Sequence, residues 1–348
     1  MSSYSPQPGP QQSSGMAELR LVLLGRAESG KSAAGNAVLG REEFQTEGDN
    51  TDTVTQECEK RRATVAGRQV AVVDTPDWFS SQRPPEEVAH QLSTCAALAA
   101  PGPHAFLLCV AVDQPAELEL RALGPLEEVF GRGAVRSRTL VLFTHSERLA
   151  QSGEGADGLE NYIVTRRADL LQLVEKCGDR FHGGAEGEEG EEGEERSIRE
   201  LLEKVEQMVE EAGSGHYTSS LFQQAEARVR QRQEEILQER RGGEEEEHWE
   251  EEEWDRTREE AERRAGDLQL DTVPSFWLSP STAPPSFLRS VWETLAAWLR
   301  SVVKFVRGGA LLGGVVRVLV GGPVGGIVGA TVGSVVTEVG KRKHVKKQ

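Results

Sequence analysis

The stretch Leu19-Arg20-Leu21-Val22-Leu23-Leu24-Gly25-Arg26-Ala27-Glu28-Ser29-Gly30-Lys31-Ser32-Ala33 decides how this chain is read. Leu19–Leu24 is a short, mostly apolar run of the kind a buried parallel strand needs. Gly25–Ser32 satisfies G-x-x-x-x-G-K-[ST], and Ala33–Leu39 is compatible with a helix. Strand, glycine-bounded loop and helix in that order form an anion cradle. Gly25 and Gly30 let the backbone fold around anionic oxygens, so that successive N–H groups point inward. The helix that follows adds the partial positive charge of its N-terminus. Lys31 reaches the β/γ-phosphates of a nucleotide, and the Ser32 hydroxyl is a ligand for Mg²⁺.

A second metal-holding carboxylate is expected at the end of a neighbouring strand. Val70–Val73 followed by Asp74-Thr75-Pro76 supplies it, with Asp74 standing 42 residues after Ser32. That interval leaves room for one strand-bearing excursion, from which Thr51, Thr53 or Thr55 would also reach the metal. Ala105–Val112 and Leu140–Phe143 are further apolar runs. Glu86–Ala99, Leu118–Phe130 and Leu159–Lys176 have the composition and length of helices. Strands alternating with helices predict an α/β fold, a mostly parallel sheet covered on both faces.

Lys+Arg 40 against Asp+Glu 57 gives a net charge of −17, which disfavours nucleic acid as a partner because that requires a basic face. Four separated cysteines with no CxxC pair argue against a disulfide scaffold or a structural zinc site and point to a reducing compartment. The charge is segregated: residues 286–348 hold ten Lys/Arg and two Glu, a net of +8, so the remainder carries −25. Boundaries follow from these shifts in composition. Residues 1–17 are a Ser/Pro/Gln/Gly-rich leader and 18–215 the nucleotide-binding domain. Residues 216–273 are a charged, helical and acidic extension with coiled-coil character, and 274–285 a Pro/Ser linker. Within this frame Glu186–Glu195, seven Glu and three Gly, reads as a solvated loop. Ser197–Glu211 is an amphipathic helix with a stripe of Ile198, Leu201, Leu202, Val205, Met208 and Val209. Leu221–Arg241 continues as a more polar helix, and Glu244–Glu262, with eleven Glu, reads as a solvated acidic linker or a charged helix.

Residues 286–307 are expected to form a basic amphipathic helix, with Trp292 and Trp298 among apolar residues at helical spacing and Arg289, Arg300, Lys304 and Arg307 between them. Residues 308–348 are a glycine-rich hydrophobic tail with a basic end. Val318–Val336 is uncharged over nineteen residues, and Gly321, Gly325, Gly329 and Gly333 recur every four. Such a tail suits an anionic membrane surface, either spanning the bilayer or lying on it.

The motifs together resemble the immunity-associated nucleotide-binding proteins, the IMAP family with an avrRpt2-induced-type (AIG1-type) G domain. The resembling pieces are GKSAAGNAVLG (Gly30–Gly40), VTQECEK (Val54–Lys60), VVDTPDWF (Val72–Phe79) and AAPGPHAFLLCV (Ala99–Val110). LVLFTHSERL (Leu140–Leu149), LVEKCGDR (Leu173–Arg180) and HYTSSLFQQAE (His216–Glu226) extend the match over residues 18–240. The resemblance implies a septin-like P-loop NTPase G domain that binds GTP and GDP with Mg²⁺, self-associates under nucleotide control, and attaches to the cytosolic face of an intracellular membrane. It places the nucleotide against Gly25, Arg26, Ala27, Glu28, Ser29, Gly30, Lys31, Ser32 and Ala33. Thr46, Thr55 and Asp74 approach it too, with Ser32, Thr55 and Asp74 on the metal. Within Thr144-His145-Ser146-Glu147, Glu147 would read the guanine edge and His145 stack over the base, beside Ser146.

Two departures from the family pattern set further expectations. Phe181-His182-Gly183-Gly184 stands where a Phe-Asn-Asn turn contacts the base, so guanine affinity is expected to be lowered or the pocket closed by other atoms. Asp77-Trp78-Phe79 follows the Asp-Thr-Pro motif, and no Gln is present to orient water. Hydrolysis is therefore expected to be slow or dimer-activated, with the catalytic residue unassigned. The alternative is a G-domain scaffold that does not hydrolyse nucleotide and recruits partners through its helices and tail.

Overall fold

In the computed structural model, the described residues are 18–46, 55–79, 84–146, 148–149, 158–183, 190–213, 215–241 and 251–268. The leader, the linker at 274–285, the basic helix expected at 286–307 and the tail at 308–348 lie outside them. Among the described residues no helix is long and apolar enough to cross a membrane.

The apolar runs become strands and the segments between them helices. In chain order these are β1 (Leu19–Leu24), α1 (Lys31–Leu39), β2 (Glu59–Val65), β3 (Arg68–Asp74), α2 (Pro85–Leu98), β4 (Ala105–Ala111), α3 (Glu117–Phe130), α4 (Ala134–Arg138) and β5 (Thr139–Thr144). They continue with α5 (Leu159–Arg166), α6 (Ala168–Lys176), β6 (Phe181–Gly183), α7 (Glu191–Glu211), α8 (Ser220–Arg241) and α9 (Glu251–Arg264). The sheet order is β2-β3-β1-β4-β5-β6, and only β2 runs antiparallel to its neighbour. β1 lies between β3 and β4, in register Leu21↔Val72 and Leu21↔Ala105. The chain reverses its direction of travel across the sheet at β1, so the crevice beyond the carboxyl end of β1 is a topological switch point.

Both faces of the sheet are buried, which explains why the central strands are apolar throughout instead of alternating. Leu21, Leu23, Val72, Leu107 and Leu140 pack beneath Val38 and Leu39 of α1 and Leu201, Leu202, Val205 and Met208 of α7. The α7 stripe read from the sequence is thus the covering face. Val22, Leu24, Phe106, Leu108, Val141 and Phe143 face the other way, into a cluster with α2, α3, α6 and Phe222, Ala225 and Val229 of α8. Phe130 and Phe222 stack there with ring centroids 6.0 Å apart.

Three readings are corrected. The helix expected over Leu159–Lys176 is two helices, parted at Arg167 (φ −127°, ψ 71°). The Arg167 guanidinium is held by the carbonyls of Val112 and Gln114 and by Asp169, contacts that an unbroken helix would forfeit. The Glu/Gly run at 186–195 is not loop throughout: α7 starts at Glu191. The acidic segment at 244–262 is not a solvated linker throughout, because α9 packs against α8 and α2 with Thr257, Ala261 and Glu262 buried. Its carboxylates find cations: Glu262 lies 2.9 Å from Lys60 Nζ, Glu259 meets Arg62, and Glu260 is 2.7 Å from Arg240. All four cysteines are free and buried.

Candidate functional site

The loop after β1 closes tightly. A Cβ on Gly25 (φ 150°) would stand 2.6 Å from the carbonyl oxygen of Cys109 and 2.6 Å from Ser29 Oγ, so only glycine fits there. Glu28 (φ 60°) and Gly30 (φ 73°) are left-handed on either side of Ser29, the backbone alternation that turns neighbouring N–H groups to one side. Thr144 Oγ1 at the end of β5 donates to the Ser29 carbonyl (2.9 Å) and ties the loop to the sheet. Ser29 is buried, yet its hydroxyl has no hydrogen-bond partner among the described residues. A buried orphan hydroxyl inside such a loop is what an anionic oxygen would satisfy. Lys31 Nζ donates to the Arg26 carbonyl (2.8 Å), which holds the ammonium along the loop.

The three residues expected at a metal converge. Ser32 Oγ donates to Asp74 Oδ2 at 2.7 Å, Thr55 Oγ1 donates to the same oxygen at 3.3 Å, and the two hydroxyls are 3.3 Å apart. Of the Thr51/Thr53/Thr55 set, Thr55 contacts the carboxylate; the other two lie outside the described residues. The donors are all oxygen, as a hard cation demands, and their separations bracket the ~2.9 Å edge of an octahedron with Mg²⁺–O bonds of about 2.0–2.1 Å. Burial pushes the Asp74 carboxyl above its usual range, while the Ser32 hydroxyl and the Lys31 charge pull the other way. The ordinary remedy for such a strained carboxylate is a cation.

Of the other expected residues, Ala27 is half-buried and Ala33 is exposed on the first turn of α1. His145 (φ 58°) sits beside the loop, its Nε2 3.5 Å from where a Gly30 Cβ would be. Ser146 accepts from the Leu149 N–H (3.0 Å) in the turn after β5. Glu147 lies outside the described residues. Thr46 is exposed. Phe44, two residues earlier, is the anchored one. Asn36 of α1 takes its N–H (2.8 Å) and donates to its carbonyl (2.8 Å).

Several supporting residues escaped the sequence reading. Thr75 Oγ1 donates to the Leu23 carbonyl (2.7 Å), and its N–H donates to Asp74 Oδ1 (3.0 Å), which fixes the carboxylate's rotamer. The Arg26 guanidinium turns away from the cradle toward Glu119 of α3 (3.2 Å) and the Pro115 carbonyl (3.3 Å). Glu119 is wholly buried, and burial raises its carboxyl above the usual range against the pull of Arg26. Trp78 is buried with Nε1 on Gln91 (3.2 Å), whose amide in turn holds the Gln56 carbonyl (2.9 Å). The segment after Thr55 is thereby linked to α2. Only the Thr of Asp-Thr-Pro carried a local signal; the others are pairings across 13 to 93 residues.

Comparison with known proteins follows the same residues: the AIG1 family matches residues 19–236. The chain belongs to the AIG1 family. Human GTPase IMAP family member 8 is 36% identical over 171 residues, covering 49% of this chain and 24% of that protein. Immune-associated nucleotide-binding protein 9 of Arabidopsis thaliana is 30% identical over 221 residues, 62% of this chain and 63% of that one. The chain thus spans about a quarter of the human relative and under two thirds of the plant one. Among solved structures, Toc33 from Arabidopsis thaliana in complex with GDP and Mg²⁺ aligns with a TM-score of 0.40 and 14% identity, over 59% of this chain and 89% of that one. In this AIG1-family chain, the G domain's P-loop, the Asp-Thr-Pro strand end and the β5 turn meet at one crevice.

Proposed function

We propose that this protein is a Mg²⁺-dependent guanine-nucleotide switch of the IMAP type, with slow or dimer-activated hydrolysis of GTP to GDP and phosphate, which self-assembles on the cytosolic face of an intracellular membrane. The observation that carries the reading is the convergence of Ser32, Thr55 and Asp74 beside a loop whose buried Ser29 hydroxyl lacks a partner. Mg²⁺ would supply charge neutralisation between the phosphates, and those three residues would hold it. The backbone of Gly25–Ser32 and the Lys31 ammonium would bind the phosphates. Thr55 would report the nucleotide state, because Gln56 beside it is held by α2. The relatives, a GTPase and a nucleotide-binding protein, support this assignment.

Titration with fluorescent GDP and GTP at millimolar Mg²⁺ tests the binding step; no saturable binding overturns the function. Single-turnover hydrolysis at rising protein concentration tests the enzyme. A rate that increases with concentration supports dimer activation, and zero hydrolysis with intact binding assigns the scaffold role. The membrane part rests on the basic, glycine-rich composition of residues 286–348. A reporter fused to that segment should move to an intracellular membrane, and a chain ending at residue 285 should not.

A further inference from the structure

We propose that Glu28 sets how fast this site releases its nucleotide: its carboxylate is a like charge built into the rim of the anion cradle, and it keeps the phosphates loosely held. The inference rests on the proposed guanine-nucleotide function and assigns a residue to one property of it.

The charged side chains on the loop or in contact with its residues include two cations and four carboxylates. Arg26 and Lys31 are cations; Glu28, Asp74, Asp77 and Glu119 are carboxylates. Three of those carboxylates are committed to neighbours. Glu119 faces Arg26 at 3.2 Å, Asp74 accepts the hydroxyls of Ser32 and Thr55, and Asp77, near enough to Glu119 to act on its charge, accepts the Phe79 N–H at 2.7 Å. Arg26 is turned toward α3 by its partner, which leaves Lys31 as the cation along the loop. Glu28 is exposed and joined to no other described side chain by a hydrogen bond or ion pair. It stands one residue before the buried Ser29 and two before Gly30, so an anion in the cradle would face a like charge that no described side chain pairs with.

The backbone gives an independent reason to regard the charge as the point. At φ 60° Glu28 occupies the left-handed region, which glycine adopts freely and residues with a Cβ rarely do. The shape of the loop does not call for a glutamate at this position; glycine would serve it better. What the side chain adds is negative charge at the mouth of an anion site. Mg²⁺ held by Ser32, Thr55 and Asp74 would offset part of it, so retention should depend steeply on Mg²⁺ and on ionic strength.

The test is release of a fluorescent GDP analogue from the full-length protein, preloaded in Mg²⁺ and chased with excess unlabelled GDP. Glu28→Gln keeps the side-chain shape and the left-handed backbone and removes only the charge. About ten-fold slower release is expected from Glu28→Gln at low ionic strength, the effect of one like charge withdrawn near the protein surface. The difference should close at ~1 M salt, where the Debye length is about 3 Å. Glu28→Lys should slow release further. Equal or faster release from a folded Glu28→Gln protein overturns the proposal while leaving the binding function standing. Binding of the analogue by neither the unmodified chain nor Glu28→Gln overturns the function, and this inference with it.

Discussion

Lys31 is a buried cation on a loop of backbone donors, and its ammonium donates to a carbonyl of that same loop. Replacing it should therefore cost the ligand more than the fold. Lys31→Ala is expected to weaken guanine-nucleotide binding about ten- to a hundred-fold, the worth of a charge-assisted hydrogen bond, as read by fluorescent GDP titration. Unchanged affinity would place the ligand elsewhere. His182 of β6 illustrates a different residue-level effect. It is buried, its Nε2 lies 2.9 Å from Ser197 Oγ, and burial, helped by the Lys204 charge, lowers its pKa from 6.5 to about 4. An imidazole whose folded pKa lies below its unfolded one contributes stability above pH 6.5, and that stability is lost as pH falls toward 4. His182→Gln should thus flatten the acid limb of the stability curve between pH 6.5 and 4 by about 1.4 kcal/mol per pH unit, measured by urea unfolding. Identical slopes in the two proteins would mean that the ring is charged while buried.

At the level of elements, two helices, one legible in the sequence and one not, are held by opposite means. α1 approaches the sheet because Gly35 leaves room: a Cβ there would stand 2.9 Å from the Phe44 ring and 3.0 Å from Leu23 Cδ1. Gly35→Ala should cost about 1–3 kcal/mol through overpacking, seen as a lowered denaturant midpoint, and should loosen the Asn36–Phe44 anchor. α9 is held by charge. Lys60 and Glu262 are both almost fully buried at 2.9 Å, and Arg62 and Arg258 reach the same carboxylate. A buried pair of this kind contributes little net stability, but removing one partner strands the other. Glu262→Ala is expected to destabilise the protein by about 3–5 kcal/mol and to expose α9 to limited proteolysis first. A variant as resistant as the unmodified chain would show that α9 is not docked through Lys60. This helix also explains the acidic run. The acidic run reads as a solvated segment because the cations that meet Glu259, Glu260 and Glu262 include Arg62 and Lys60 of β2 and Arg240 of α8, none of which the run itself announces.

For the molecule as a whole, the switch-point crevice gathers the ends of β1, β3 and β5, so a ligand there would tie together segments separated by more than 100 residues. GDP at a hundred times its Kd should raise unfolding free energy by ~2.7 kcal/mol with a matching rise in Tm, and an unchanged melt would count against a ligand at that crevice. The strand–loop–helix order, Asp74 at a strand end, the covering stripe of α7 and the α/β class were legible from Leu19 onward. Each of them is written in a local period or a short spacing, which the backbone obeys wherever it lies. Tertiary structure alone brought the Thr55 hydroxyl to Asp74 and turned Arg26 toward Glu119. It also broke the helix at Arg167 and docked an acidic helix on Lys60. Those outcomes depend on which distant residues the fold brings within a few ångströms, where burial makes an unpaired charge too costly to leave alone. Charge in a sequence carries no label for its partner, and the sheet supplied it.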